Sequence, residues 1–309
     1  MLTIERVETL PTLPAADIER AAAFTKQDKA PATRQAYRSD FSIFRVWCMA
    51  RSVSALPASP ETVAGFLAAE AENGMAASTI TRRCAAIRHA HKLAEFEPPT
   101  NSEIVKATVR GIRRSIGAAP KRKAPAVAEI TRDMARTVPP GLKGLRDRAL
   151  LLLGFGGAFR RSELVALDVA YIEFTDDGLR VMIRRSKTDQ QGQGATIAII
   201  RGGACCPVKA VKAWLDAAGI SEGPIFRPVC KGGKVRDRRI TAKSVCDITK
   251  AYASKLGLDA ASFGAHSLRR GFLTSAARRG ASVFKMRDVS RHKKHGHVAE
   301  LRARHRHVS

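Results

Sequence analysis

The sequence predicts a mainly α-helical, two-domain protein with one small antiparallel β-sheet in its second half. The chain has 309 residues, which exceeds the usual size of one domain and allows two hydrophobic cores. Apolar residues recur at helical spacing in the first part of the chain, whereas three short β-rich segments follow one another between residues 171 and 200. A stretch rich in proline and basic residues separates the two parts.

These observations give the domain boundaries that we expect. The N-terminal helical domain should cover 1–117, a basic linker 118–127, and the C-terminal α+β domain 128–309. The linker contains two prolines and three cationic residues without hydrophobic periodicity, which is typical of a spacer. Two interpretations stay open for it: a solvated spacer, or a basic strap that lies along a phosphate backbone.

The first domain is predicted to contain four helices. In the first of them Tyr37, Phe41, Phe44 and Cys48 form one apolar stripe at spacings of four, three and four. Ser59 and the proline after it predict the start of the second helix. The predicted helices cover 33–48, 59–72, 78–96 and 102–115.

The second domain mixes both kinds of element. A strongly apolar helix should break at Gly154 and at Gly156-Gly157, and a new helix should start near Arg161. The Asp177-Gly178 pair predicts a hairpin between the first two strands. Strands are expected at 171–174, 179–185 and 195–200, and helices at 142–155, 207–218, 241–256 and 266–279.

The charge of the chain points to a polyanionic partner. Lys and Arg number 54 against 28 Asp and Glu, a formal net charge of +26, and such a field attracts nucleic acid, anionic membranes or acidic proteins. No apolar run approaches the ~18–20 residues of a membrane-spanning helix, and the N-terminus lacks the pattern of a secretory signal. We therefore expect a cytoplasmic protein without a membrane role. The six cysteines show no Cys-x-x-Cys pair, so no zinc site is predicted.

Five residues carry the chemistry that the sequence suggests. Arg160 follows a glycine break immediately before a helix, and Lys187 lies in a polar hairpin loop. His266 and Arg269 are three apart on one helix face, and His292 adds a further donor. Two arginines can hold the oxygens of one phosphate, and lysine and histidine can move protons. Because no carboxylate cluster accompanies them, the pattern indicates chemistry on a phosphodiester without a metal or other cofactor.

In order and spacing these motifs resemble those of the tyrosine recombinase (phage integrase) family. The matching boxes are Arg160-Arg-Ser-Glu-Leu164, Lys187 in a hairpin, His266-Ser-Leu-Arg269 and His292. The resemblance covers nearly the whole chain: the helices between residues 33 and 115 look like the family's SAM-like core-binding domain, and the second half looks like its α+β catalytic domain.

The resemblance implies a reaction and a role for each residue. In the family a tyrosine hydroxyl attacks a DNA phosphate and forms a 3′-phosphotyrosyl link, and a freed 5′-hydroxyl later reseals the strand. Carried over to this chain, the resemblance assigns phosphate binding to Arg160 and Arg269, general acid catalysis to Lys187, assistance in proton transfer to His266, a phosphate hydrogen bond to His292 and support of the site to Glu163. It also implies double-stranded DNA as partner and a tetrameric homo-oligomer on DNA.

The nucleophile of the family is missing from its expected place. It should lie near Leu301 or Arg302, yet the tyrosines are Tyr37, Tyr171 and Tyr252, all upstream of the His-x-Leu-Arg box. The tail 294–309 is also atypical in composition. A shifted reading frame after Lys293 would explain both features; a natural histidine-rich tail, or a metal site formed by His292, His295 and His297, are the alternatives.

Two functional hypotheses therefore stay open. One is a recombinase with an unrecognised nucleophile, for instance Tyr252, or with a defective tail. The other is a catalytically silent DNA-binding clamp that derives from a recombinase. For either function the predicted DNA contacts are Thr79, Arg82, Arg83, Lys121, Arg122, Lys123 and Arg270.

Overall fold

The computed structural model describes residues 13–25, 28–117, 123–184 and 194–291. The chain divides into two compact units, Met1–Lys121 and Arg122–Ser309. Within the described ranges the architecture is mainly helical with one three-stranded sheet, which confirms the predicted fold class. No helix among the described residues is both long and apolar enough to span a membrane.

The first unit contains five helices in the part of the chain that the structure describes. Four of them match the predicted helices, and Ser59 caps the third by accepting a hydrogen bond from the backbone N–H of Thr62 at 3.2 Å. The helix nearest the N-terminus was not predicted. The helices are α1 (Ala15–Thr25), α2 (Pro31–Met49), α3 (Pro60–Glu72), α4 (Ala77–Leu93) and α5 (Glu103–Ile116).

The core of the first unit forms where the apolar faces of α2, α3 and α4 meet. The rings of Phe44 and Phe66 lie 5.0 Å apart, and the indole of Trp47 contacts the same Phe66 ring at 5.6 Å. His91 is fully buried; its Nε2 accepts from the N–H of Ala58 at 3.0 Å, and its Nδ1 lies 2.9 Å from the carbonyl of Ile87. Both ring nitrogens are therefore satisfied, as burial requires.

The second unit is built around the helix α7. Leu150 and Leu153 of this helix are fully buried, and Trp214 of α9 joins the same core and donates from Nε1 to the carbonyl of Ile225 at 2.7 Å. The helices of this unit are α6 (Ala128–Arg136), α7 (Leu142–Gly156), α8 (Arg161–Ala166), α9 (Pro207–Ala218), α10 (Ala242–Lys255), α11 (Ala265–Arg278) and α12 (Val283–Ser290).

The sheet has the order β1-β2-β3 and is antiparallel throughout. Its strands are β1 (Ile172–Phe174), β2 (Gly178–Ile183) and β3 (Ala195–Ile200). The predicted hairpin is present, with Thr175 and Gly178 exchanging backbone hydrogen bonds at 3.0 and 3.3 Å. A Cβ at Gly178 would lie 2.1 Å from the carbonyl oxygen of Ile199, so the turn requires glycine for close approach of β3.

Candidate active site

The site is organised by the turn between α7 and α8. Helix α7 runs through Gly154 and ends at Gly156, two residues beyond the first predicted break. A Cβ at Gly154 would lie 3.1 Å from both Leu164 of α8 and Leu268 of α11. This glycine therefore lets two helices pack closely on α7. One of them begins just after Arg160, and the other carries Arg269.

Arg160 is held in place by Glu163, three residues further along the chain. The backbone N–H of Arg160 donates to Oε2 of Glu163 at 2.9 Å, and its Nη1 donates to Oε1 at 2.6 Å. The Glu163 side chain is only 1% exposed. Burial alone would raise the pKa of this carboxyl, but the charge of Arg291 and the hydrogen bonds from Arg160 outweigh burial, so the pKa lies below its ordinary value. The carboxylate is therefore ionised and fixes the direction of the Arg160 guanidinium.

Arg269 approaches the same turn from α11. Its side chain is buried, its Nη1 donates to the carbonyl of Ala158 at 2.6 Å, and its Nη2 donates to the carbonyl of Ser290. Burial and the positive charges of Arg160 and Arg291 lower the pKa of Arg269 to about 9. The guanidinium is still protonated at neutral pH.

The structure brings Arg160 and Arg269 together at the end of α12. The Nη2 of Arg160 donates to the carbonyl of Arg291 at 3.3 Å, next to the Ser290 carbonyl that Arg269 binds. The guanidinium groups of Arg269 in α11 and of Arg160, which precedes α8, thus meet at consecutive carbonyl groups. Such a pair can hold the oxygens of one phosphate in fork geometry.

Arg291 is a member of this site that the sequence interpretation missed. Its Nη2 donates to Oε2 of Glu163 at 2.6 Å, so one carboxylate joins Arg160 and Arg291. Burial and then the neighbouring Arg160 lower the pKa of Arg291, against the attraction of Glu163. Arg291 directly precedes His292 in the predicted motif, and this proximity was the sequence feature that could have identified it as a site residue.

Of the remaining predicted catalytic residues, only some lie within the part of the chain that the structure describes. His266 is exposed in the first turn of α11, three residues before Arg269. Lys187, His292 and the expected nucleophile position at Leu301 lie outside the described residues. Among the residues that are described, no group of three or more His, Cys, Asp or Glu side chains could hold a metal ion.

Tyr252 is not placed to act as a nucleophile. It is 3% exposed, and its hydroxyl donates to Oδ2 of Asp147 at 2.9 Å. Burial, together with the charge of Asp147 and the hydrogen bond to it, raises the pKa of Tyr252 well above its ordinary value. The phenol is therefore a protonated core residue, which argues against the hypothesis that it supplies the missing nucleophile.

The predicted DNA contacts on α4 have different surroundings. Thr79 is half-buried and Arg82 is exposed, but Arg82 makes a two-pronged hydrogen bond to Asp40 at 2.7 and 3.1 Å. Arg83 is 9% exposed and is ion-paired with Glu70, and its Nε lies 3.8 Å from Asp40. Arg83 therefore belongs to a buried ion-pair network, and the expectation that it contacts DNA needs correction.

The end of the predicted linker is part of the second unit. The backbone N–H groups of Ala124 and Ala126 donate to the carbonyls of Ser262 and Ser267 at 2.7 and 2.9 Å. Arg270 donates to the carbonyl of Lys123, and Ala126 is fully buried. Residues 123–127 are thus fixed against α11 and are not a solvated spacer. Lys123 itself is exposed, and the predicted contacts Lys121 and Arg122 lie outside the described residues.

Comparison with known proteins confirms the resemblance seen in the motifs. The family model described as the phage integrase family matches residues 128–305, and the model of the phage integrase N-terminal SAM-like domain matches residues 24–97. An integrase/recombinase XerD homologue of Selenomonas ruminantium is 40% identical over 274 residues, which cover 87% of this chain and 80% of the relative. Recombinase Cre of Escherichia phage P1 is 25% identical over 256 residues, 77% of this chain and 74% of the relative.

Solved structures show the same fold. The Tn1549 transposon integrase in complex with circular intermediate DNA has a TM-score of 0.62 at 14% identity and covers 95% of this chain and 99% of that protein. The XerH site-specific recombinase bound to its difH substrate has a TM-score of 0.58 at 15% identity over 79% of this chain and 68% of that protein. With these matches, the chain belongs to the phage integrase family of tyrosine recombinases.

Proposed function

We propose that this protein binds double-stranded DNA in the cytoplasm and belongs to a system that breaks and rejoins DNA strands at specific sites. The observation that carries the proposal is the meeting of Arg160 and Arg269 at the end of α12. A second support is the net charge of +26, which suits a polyanion. The Cre and XerD-like relatives and the DNA-bound Tn1549 and XerH proteins make DNA the partner to test first.

The site supports one part of the family's reaction in particular. Arg160 and Arg269 bind the two non-bridging oxygens of the scissile phosphate and stabilise the charge that develops there in the transition state. Glu163 keeps Arg160 directed toward the phosphate. In this proposal Lys187 protonates the leaving 5′-oxygen, His266 assists proton transfer and His292 binds a phosphate oxygen. Several copies assemble on DNA, as the family resemblance implies.

We further propose that strand cleavage is impaired in this chain. Covalent catalysis needs a nucleophile, and its removal abolishes the two-step route while binding survives. Positions 301 and 302 hold Leu and Arg, and no tyrosine follows Tyr252. The buried Tyr252 hydroxyl favours the second candidate function, a catalytically silent clamp that occupies a recombination site.

A covalent-trapping assay tests both statements. Duplexes that the protein retains are first selected from a random library, and a nicked version of the selected duplex is then incubated with the protein. We expect retention without an adduct that resists denaturant. A chain whose residues after Lys293 are replaced by the alternative reading frame should form the adduct.

The outcomes separate the candidates. An adduct formed by the 309-residue chain would refute the silent clamp and show that cleavage is intact. Failure to retain any duplex would refute DNA binding altogether. Arg269→Ala should weaken retention of duplex DNA. Its matched control is Arg279→Ala, which changes an exposed arginine just after the same helix and should leave retention unchanged.

A further inference from the structure

Arg291 occupies a backbone position that does not suit an arginine. It follows the last residue of α12 and has φ 55° and ψ 42°, in the left-handed region. Glycine is the usual residue there, because a Cβ is strained in this conformation. The strain must be offset by what the side chain contacts.

Those contacts tie the guanidinium into the candidate active site. Besides the bond to Oε2 of Glu163, Nη1 of Arg291 donates to the carbonyl of Val289 at 2.7 Å. Its guanidinium carbon lies 5.5 Å from the centre of the buried Phe159 ring. The side chain is only 10% exposed. This arginine is therefore fixed beside the phosphate-binding pair and does not extend into solvent.

One donor of this fixed guanidinium lacks an acceptor. Within the described parts of the chain, Nε of Arg291 is buried and has no hydrogen-bond partner. A buried donor without an acceptor is unfavourable, and in native structures such a group calls for a specific explanation. An oxygen from a bound ligand would satisfy it.

The charge of the cluster indicates what kind of ligand that is. Arg160, Arg269 and Arg291 carry three positive charges, and Glu163 is the carboxylate bonded to two of them. The four side chains sum to +2. Buried like charges repel one another, so a bound anion stabilises such a cluster. A phosphodiester supplies one negative charge and several acceptor oxygens.

We infer that Arg291 is a third arginine of the phosphate site, which offers its Nε–H to an oxygen of the anion that Arg160 and Arg269 hold. The inference rests on the proposed function, because that function places a DNA phosphate at this pair. Arg291 thereby joins the five catalytic residues that the motifs suggest as a further phosphate-binding residue, and Glu163 orients two arginines in place of one.

Arginine-selective NMR on the full chain tests the inference, with inorganic phosphate as the probe at constant ionic strength. The Nε–H resonance that is lost in Arg291→Lys should shift progressively as phosphate is added. Arg291→Gly removes the side chain but suits the left-handed backbone, so the fold should persist. Its phosphate affinity should fall by about tenfold, the effect of losing one charged hydrogen bond.

Arg279→Gly is the matched control for the charge of the protein. Arg279 is exposed and caps the end of α11, so its removal should leave phosphate binding at this site unchanged. If phosphate leaves the Arg291 resonance in place, or if the Arg291 and Arg279 variants bind phosphate equally, Arg291 is only a structural link between α12 and α8 and the inference is wrong.

Binding of duplex DNA by the same variants distinguishes this inference from the proposed function. If phosphate shifts the Arg291 resonance but the protein retains no duplex, the anion site stands and the DNA-binding proposal fails. If wild type and Arg291→Gly bind both duplex and phosphate equally well, DNA binding stands and the role of Arg291 fails.

Discussion

The hydroxyl of Tyr252 donates a hydrogen bond to Asp147 at 2.9 Å inside the core of the second unit, and Arg146 binds the other oxygen of the same carboxylate at 2.6 and 2.9 Å. The aspartate thus pairs an arginine and a phenol that are both shielded from solvent. The Tyr252 hydroxyl contacts the Asp147 carboxylate as a hydrogen-bond donor, so this contact requires a protonated phenol.

Tyr252→Phe should therefore affect stability and leave DNA chemistry unchanged. Loss of the hydrogen bond should lower the free energy of unfolding by roughly 1–2 kcal/mol, measured by urea denaturation. Trapping with the nicked duplex should give the same result as wild type. If wild type forms an adduct and Tyr252→Phe does not, Tyr252 is the nucleophile and this prediction is wrong.

The same hydrogen bond predicts a pH dependence. The pKa of Tyr252 is raised in the folded protein above the ordinary value of 10.0, so the folded state keeps a proton that the unfolded state releases. Stability that depends on Tyr252 is present below pH 10 and is lost as pH rises toward the folded pKa. Wild type should lose stability more steeply than Tyr252→Phe above pH 10, and parallel curves would contradict this.

Gly271→Ala should destabilise the second unit. A Cβ at this position of α11 would lie 1.8 Å from the carbonyl oxygen of Ala126, and relief of such a clash costs about 1–3 kcal/mol. Gly111 in α5 has nothing within 4 Å of the same atom, so Gly111→Ala should stabilise its helix by about 0.5–1 kcal/mol. Thermal unfolding of both variants checks the opposite signs; equal effects would show that 123–127 do not pack on α11.

Arg83 and Arg82 should respond differently to substitution. Arg83→Met leaves the buried carboxylate of Glu70 without its arginine, while Asp40 keeps its hydrogen bonds from Arg82, so the change should cost about 3–5 kcal/mol. Arg82 is half exposed, so Arg82→Met should cost much less and should act mainly on DNA affinity. Unfolding and DNA-binding titrations on the same samples test this, and the expectation fails if Arg83→Met folds with wild-type stability.

DNA binding should weaken steeply with salt. The logarithm of the association constant should fall linearly with the logarithm of salt concentration, with a slope of about −0.9 per neutralised phosphate. Arg269→Ala should make this slope less steep by about one phosphate, whereas Arg279→Ala should not. A flat dependence would contradict the clamp.

The sequence predicted the long helices well because their apolar residues are strongly periodic; the helix expected at 33–48 is Pro31–Met49. It missed α1, and also α6 and α12, which have only 9 and 8 residues. It could not separate Arg82 from Arg83, since burial of one of two adjacent arginines depends on carboxylates from other helices.

The site was predicted in the same uneven way. The motifs led to Arg160 and Arg269, which the structure brings together. Arg291 was missed because its position beside His292 was the only sequence signal, and neither its left-handed backbone nor its contact with Glu163 can be seen in the sequence. The glycines were interpreted as helix breaks. Gly154 instead lies within α7, where the absence of a side chain leaves room for Leu164 and Leu268. Such packing roles depend on neighbours that are distant in sequence.

The carbonyls at the end of α12 have one more consequence. The carbonyls of Ser290 and Arg291 are bound by Arg269 of α11 and by Arg160, which precedes α8, so in the proposed function the helix end and the phosphate share the same donors. An incoming phosphate must compete with the chain's own carbonyls for these donors. In the proposed function, phosphate binding and fraying of the terminal turn of α12 are therefore linked.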